Sequence, residues 1–310
     1  MENSRTYPIK AVSKLTGLSL HVIRAWERRY SVVTPLRTDT NRRLYSANDV
    51  EKLMLLKEAS KRGYSIGNIA DLKMEELRLI VGKTNETVIP LPESVIISRE
   101  NYDSDYLTNS IEAVKNMNVN ALERELYKAL VEMPQFRFVE EVISPLLERI
   151  GEMWKNGDIR IVNEHISTGV IRKFLTSLID NNTIPNNAPS IIIATPKGQL
   201  HELGALIIAA IASSDGWNVT YMGPDLPGEE IAAAINRLKP KIVALSIVYP
   251  SDDHVLQKEM AKLKNLLNNG VTILAGGRST GYYKSALDSM NAKIISGIDE
   301  FRSELEAARK

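Results

Sequence analysis

The stretch Thr195 to Gly204, Thr-Pro-Lys-Gly-Gln-Leu-His-Glu-Leu-Gly, decides how the rest of the chain is read. Ile191, Ile192, Ile193 and Ala194 lead into it, and the small and aliphatic residues of 205–213 lead out. An apolar run, a polar turn with Pro and Gly, and a run of helix formers predict a strand, a turn and a helix start. His201 is therefore expected at the carboxyl edge of a sheet, where open α/β sheets bind their ligands.

In all, strands are predicted at 190–194, 218–222, 242–247, 271–275 and 293–296, with helices near 201–213, 227–238, 252–269, 280–290 and 299–308. Short apolar strands alternating with helices imply a parallel, doubly wound sheet, and five strands suggest flavodoxin-like order. The strand edges then exclude several functions. A phosphate-accepting receiver needs acidic edges, but these read Thr195-Pro196 and Ile247-Val248-Tyr249-Pro250. There is no G-x-G-x-x-G after a strand, no Walker loop and no G-x-S-x-G elbow.

The spacing Gln199-x-His201-x-x-Gly204 resembles the D-x-H-x-x-G motif of cobalamin-binding domains, with Gln in place of the first Asp. Ser246-x-Val248 resembles the same family's S-x-L or S-x-T element, and Gly276-Gly277 its G-G element. The resemblance implies that His201 is the lower axial ligand of cobalt. It also implies that Gln199 orients the imidazole, raising its basicity less than a carboxylate would, with Glu202 as a possible substitute. Gly204, Ser246, Val248, Gly276 and Gly277 would line the cleft for the nucleotide tail, where bulky side chains would block entry. Gly223-Pro224-Asp225 closes the second strand or is only a turn, and His254 reads as surface.

At the other end, Ile9 to Thr16 and a second helix from Ser19, a natural N-cap, to about Tyr30 flank Gly17 as a helix-turn-helix. Val22, Ile23 and Trp26 share its inward stripe, leaving Ser19, His21, Arg24 and Arg28 to the outside. Two extended pieces around a polar turn follow, carrying Arg37, Arg42, Arg43 and Tyr45; such a basic wing would lie against phosphates. Ser46 caps a helix from Ala47 to about Lys61, and a helical pattern continues from Ile66 to Val81. Y-P-I-K-A-V-S-K-L-T-G-L-S, V-I-R-A-W-E-R-R-Y and N-R-R-L-Y-S-A-N-D-V together resemble the winged helix-turn-helix of MerR-family regulators. That resemblance implies dimeric binding of double-stranded operator DNA, with Arg24, Arg28, Arg42, Arg43 and Tyr45 near backbone or groove. Instead of the family's long coiled coil, residues 83–102 read as a linker with Pro90 and Pro92.

Between the two lies a helical block, with apolar helical spacing over 106–116, 119–132, 136–154 and 162–179, which predicts an antiparallel four-helix bundle. Trp154 is followed after nine residues by Glu164-His165; on spacing alone, a core Trp and a polar pair suffice to explain this. In this setting W-x9-E-H resembles the CarH and LitR photoreceptor subfamily, whose helical block caps the upper face of adenosylcobalamin. The resemblance puts Trp154, Glu164 and His165 near the adenosyl group. The best-known members carry a His after this Trp; here it is Lys155, and an ammonium has no lone pair for a metal.

Composition agrees with an ordinary globular chain of more than one domain. Lys and Arg number 15 against 9 Asp and Glu in residues 1–82, and 24 against 29 in the remainder, so an anionic partner suits the first quarter alone. The absence of Cys removes disulfides and thiolate chemistry, and no apolar run is long enough to span a bilayer. With a polar start to the chain, the expected location is cytoplasmic.

The expected organisation is multidomain: a winged helix-turn-helix (1–82), a linker (83–102), a four-helix bundle cap (103–186) and a flavodoxin-like α/β cobalamin-binding domain (187–310). The expected function is a non-enzymatic, light-responsive repressor. It would hold operator DNA as a dimer or tetramer with adenosylcobalamin and release it on photolysis. Its rivals are a light-independent cobalamin sensor, a cobalamin-independent repressor and a corrinoid methyl-transfer protein; a catalytic corrinoid carrier has no need of a basic winged module.

Overall fold

Three short strands and five helices build the winged module at the start of the chain in the computed structural model. The structure describes residues 6–18, 20–38, 42–62, 64, 66–82, 103–180, 182, 184–185, 187–249, 255–267 and 270–309, without the side chains of 21, 61, 103 and 104. Strands β1 (Thr6–Pro8), β2 (Leu36–Arg37) and β3 (Arg43–Ser46) pair antiparallel in the order β1-β3-β2. Helices α1 (Ile9–Thr16) and α2 (Leu20–Tyr30) form the helix-turn-helix, and Val12, Val22, Ile23 and Trp26 are buried between them and the rest of the module. Ser46 caps α3 (Ala47–Lys61) reciprocally with Asp49, satisfying two amides that the first turn would leave without partners. The helical pattern expected over 66–81 is broken into α4 (Ile66–Ile69) and α5 (Met74–Gly82). The amide of Lys73 donates to the Glu76 carboxylate (2.7 Å), which starts a new helix instead of continuing the old one.

The bundle consists of α6 (Asp103–Lys115), α7 (Val119–Glu132), a path through α8 (Gln135–Arg137) into α9 (Ser144–Asn156), and α10 (Ile161–Asp180). The expected single helix over 136–154 contains a π-helical stretch, Phe138–Ile143. Pro145 has no amide and its ring crowds the carbonyl four residues back, so the wider turn preceding it relieves the helix. The Ser144 amide accordingly bonds to Val139 O. Phe138, Val139, Val142, Ile143, Leu146 and Ile150 fill the bundle core.

The second sheet has five parallel strands: β4 (Ser190–Ala194), β5 (Asn218–Tyr221), β6 (Ile242–Ser246), β7 (Thr272–Gly276) and β8 (Lys293–Ile295). Their order is β5-β4-β6-β7-β8, the doubly wound arrangement of a flavodoxin-like domain. Helices α11 (Leu203–Ser214), α12 (Gly228–Leu238), α13 (Val255–Leu266), α14 (Lys284–Ser289) and α15 (Ile298–Arg309) accompany them, with a 3-10 turn at Thr280–Tyr283. Because β4 and β6 are covered on both faces, their residues are apolar almost without interruption. Gly228 lets α12 cross α13 closely: a Cβ there would stand 2.4 Å from Glu259 O. The Gly228 amide donates to the Glu259 carboxylate (2.8 Å), as does Lys262 Nζ (2.8 Å). Burial works against the Glu259 charge, yet these donors win and hold its carboxyl below the ordinary range.

The chain divides into two compact units, residues 1–171 with 181–183, and residues 172–180 with 184–310. The last turns of α10, expected with the bundle, therefore fold with the α/β sheet, where Ser213 Oγ bonds to Ile179 O (3.2 Å). Among the described residues no helix is long and apolar enough to cross a membrane.

Candidate functional site

In the winged module, α2 presents Arg24 and Arg28 outward, and Arg37 and Arg42 are exposed on the wing. Ser19 lies outside the described residues, and of His21 only the backbone, within α2, is described. Two residues expected at DNA are placed elsewhere. Tyr45 is fully buried and its hydroxyl donates to Glu27 (3.1 Å); burial first, then the Glu27 charge, pushes the phenol well above its ordinary range. Arg43 Nε donates to both oxygens of the same carboxylate (2.9 and 2.7 Å). Tyr45 is thus a core residue, and Arg43 fastens the wing to α2. Glu27, which makes both contacts, carried no signal in the sequence because its partners sit 16 and 18 residues away.

Trp26 is 4% exposed and its indole donates to Val131 O (2.9 Å) at the end of α7. Val131 is buried with the module's own core, and Glu132 beside it pairs with Arg29 of α2 and accepts from Tyr106. The first unit therefore joins the reading helix directly to the bundle. Trp154, in contrast, is 51% exposed at the end of α9. Glu164 and His165 lie in the first turns of α10, with His165 Nδ1 at 2.5 Å from the Glu164 carboxylate. Ile161 and Val162 are exposed in the same turn, so this face presents apolar and ionisable groups together.

The carboxyl edge of the parallel sheet is stiffer. β4 and β6 are neighbours whose connections leave in opposite directions, and the loops after them flank this switch point. Thr195 Oγ1 donates to Gln199 O (2.6 Å) and accepts from Asp225 N (3.1 Å), and Asp225 Oδ1 accepts from Gly198 N (2.8 Å). Asp225, read as part of a turn, is thus a strut for the loop that carries His201. The helix expected from residue 201 starts at Leu203, because this bonded loop occupies 195–202.

His201 is exposed, and its ring lies parallel to that of Tyr249, 12° between planes and 5.8 Å between centroids. Gln199 was expected to orient this imidazole directly. Its buried amide instead binds the next loop: Oε1 accepts from the amides of Val248 and Tyr249 (both 2.9 Å), and Nε2 donates to Tyr249 O (2.7 Å). Glu202, the alternative partner, is buried, pairs with the exposed Arg172 and accepts from Tyr221. Burial pushes the Tyr221 phenol up to about 12, against the lowering effect of Arg172.

Two of the glycines expected at the cleft, Gly204 and Gly277, occupy close approaches. A Cβ on Gly204 would stand 3.2 Å from Ser246 Oγ and 3.9 Å from Val248 Cγ2. Gly277, at φ +113°, faces the backbone of Ile247, where a Cβ would come within 2.3 Å of the carbonyl oxygen. Gly276 holds the same edge through Ile247 N (2.8 Å). Ser279, not singled out in the sequence, is buried and donates to Val248 O (2.8 Å). His254 lies outside the described residues.

This edge suits a metal that brings its own ring of donors. Among the described residues no group of three or more His, Cys, Asp or Glu could cage an ion. His201 offers an exposed imidazole beside an edge where glycine and serine leave room, and imidazole nitrogen suits a metal whose remaining donors come with its own ring. The residues present fit cobalamin on that ground.

The same division appears in comparison with known proteins. Residues 7–76 match the MerR HTH family regulatory protein, and residues 107–179 and 189–306 each match a B12 binding domain. The chain is 27% identical over 306 residues to the HTH-type transcriptional repressor CarH of Myxococcus xanthus, covering 96% of this chain and 97% of that one. It is 29% identical over 246 residues to the HTH-type transcriptional repressor CarA of the same organism, covering 78% and 77%. Among solved structures, the Methanosarcina barkeri monomethylamine corrinoid protein aligns with a TM-score of 0.53 at 16% identity, covering 66% of this chain and all of that one, a likeness of fold.

Proposed function

We propose that this chain, a MerR-family cobalamin-binding transcriptional regulator, is a repressor that grips operator DNA when it holds adenosylcobalamin and lets go in light. One observation carries the reading: an exposed imidazole, His201, on a bonded loop at the sheet's switch point, in a chain that also bears a basic winged module. His201 would hold the group by donating a nitrogen lone pair to cobalt. Gly204, Ser246, Val248, Gly276 and Gly277 would leave room for the nucleotide tail. Trp154, with Glu164 and His165, would cover the adenosyl group and exclude water, using apolar surface that α9 and α10 leave exposed. Bound adenosylcobalamin would supply a cobalt–carbon bond that visible light breaks.

Arg24, Arg28, Arg37 and Arg42 would meet phosphates of the duplex. Association of chains into dimers or tetramers would raise the effective concentration of paired winged modules and so the affinity for a two-part operator. A change in what Trp154 covers would reach the bundle, and the Trp26–Val131 and Arg29–Glu132 contacts would carry it from bundle to α2.

The test is binding of purified protein to its promoter DNA, with and without adenosylcobalamin, in the dark and after green light. The reading expects tight binding only in the dark with cofactor, and an unchanged complex after illumination would remove light from it. A second reading, a cobalamin sensor indifferent to light, draws on Lys155, which is exposed beside Trp154 and offers no lone pair in its charged form. Its mark would be binding that depends on cobalamin but not on light.

A further inference from the structure

We infer that Tyr249 is the positioning residue for His201, and that Gln199 acts on the imidazole only through it. The inference rests on the reading of His201 as the cobalt ligand. The Gln199 amide is wholly buried and makes three hydrogen bonds to the backbone of Val248 and Tyr249. Two are accepted and one is donated, so both polar groups of the Tyr249 backbone are bound by one side chain. This explains why an amide stands here. A carboxylate could accept the two N–H groups but would face the Tyr249 carbonyl oxygen with nothing to donate. Ser279 Oγ holds the neighbouring Val248 carbonyl from another side (2.8 Å), so the loop is fixed on both flanks.

On that fixed loop the Tyr249 ring lies parallel to the His201 ring with their centroids offset, an arrangement favoured for aromatic pairs. Stacking engages the face of the imidazole, whereas its nitrogen lone pair lies in the ring plane. Tyr249 can therefore restrict rotation of the ring without competing for the donor atom. A carboxylate bonded to the far nitrogen would orient the ring and also raise its basicity; a stacked phenol does the first without the second. Tyr249 is 58% exposed, so it contributes little to the core and can be replaced without disturbing the fold.

The experiment is a dark titration of the full chain with adenosylcobalamin, reading affinity and the absorption bands that distinguish histidine-ligated from unligated cobalt. His201→Ala should lose the ligated spectrum; if it does not, the ligand assignment itself fails, and this inference with it. Given that loss, Tyr249→Phe should retain wild-type spectrum and affinity. Tyr249→Ala and Tyr249→Leu should each weaken binding by about two- to tenfold, the range expected for one aromatic pair. Both should raise the unligated fraction at saturation while melting at the wild-type temperature. Gln199→Ala should give the same spectral change, and the double variant with Tyr249→Ala should be no worse than either single one. Unchanged spectra in Tyr249→Ala would overturn the inference while leaving His201 as ligand. Tighter binding in Tyr249→Ala would also overturn it, since Tyr249 would then be a block in the path of the corrin.

Discussion

The winged module and the carboxyl edge of the parallel sheet are built in opposite ways. In the module, long cationic side chains stand out from α2 and the wing, and carboxylates behind them pair with some of them. Glu27 takes Arg43 and Tyr45, and Glu132 takes Arg29, while Arg24 and Arg28 face outward. At the sheet edge, the arrangement depends on where backbone lies. Gly277 approaches Ile247, and the Gln199 amide ties down Val248 and Tyr249. A module of reaching side chains tolerates replacement one contact at a time. An edge of close backbone approaches does not.

The most damaging replacement should therefore fall at the edge. Gly277→Val would press a branched side chain into the Ile247 carbonyl at a left-handed φ. We expect a loss of roughly 3 kcal/mol or more of α/β stability and of cobalamin binding, seen by thermal melting and titration. If Gly277→Val melts and binds like the wild type, the edge is softer than the contrast requires. Next comes Trp26→Phe, which keeps an aromatic side chain but removes the indole N–H and some buried volume, leaving the buried Val131 carbonyl without its donor. It should cost about 1–3 kcal/mol in urea denaturation followed by tryptophan-independent circular dichroism.

Arg28→Ala should weaken DNA binding across sequences and reduce the slope of log affinity against log salt by about one, measured by fluorescence anisotropy. Tyr45→Phe sharpens the same point from inside the module. It removes one hydrogen bond to Glu27, about 1 kcal/mol of stability, and should leave the salt slope as in the wild type. A changed slope would return Tyr45 to the DNA surface. The smallest effect concerns acid stability. The Glu259 carboxyl is held below its ordinary range, so its contribution is complete above the unfolded value and fades as pH falls through the lower folded one. Glu259→Gln should flatten that acid-side decline in melting temperature, and an unaltered profile would show that Glu259 does not contribute to it.

Much of this contrast can be traced to what a linear pattern is able to carry. The Ile191–Ala194 run and its four followers specify a parallel sheet because strands covered on both faces must be apolar throughout. His201 and Gly204 follow β4 and Gly277 follows β7, and that much is legible from spacing. The Glu27–Arg43–Tyr45 cluster was not legible, since an Arg or Tyr among basic residues looks the same whether it meets phosphate or a buried carboxylate. Nor was the π-helical stretch at Phe138–Ile143, which retains helical periodicity around Pro145. The division of α10 between two units leaves no mark in its apolar spacing either.

By itself, the sequence determined the order of modules, the parallel sheet and the exposed histidine at its edge. These follow from local periodicity, turn chemistry and the need to cover apolar strands. Only the tertiary structure decided the partners of Gln199, Glu202, Tyr45 and Trp26. Each partner is brought within bonding distance by packing between elements far apart in the chain, 49 residues for Gln199 and Val248, 105 for Trp26 and Val131. A hydrogen bond across such a separation depends on distances of a few tenths of an ångström, and no pattern along the chain encodes those.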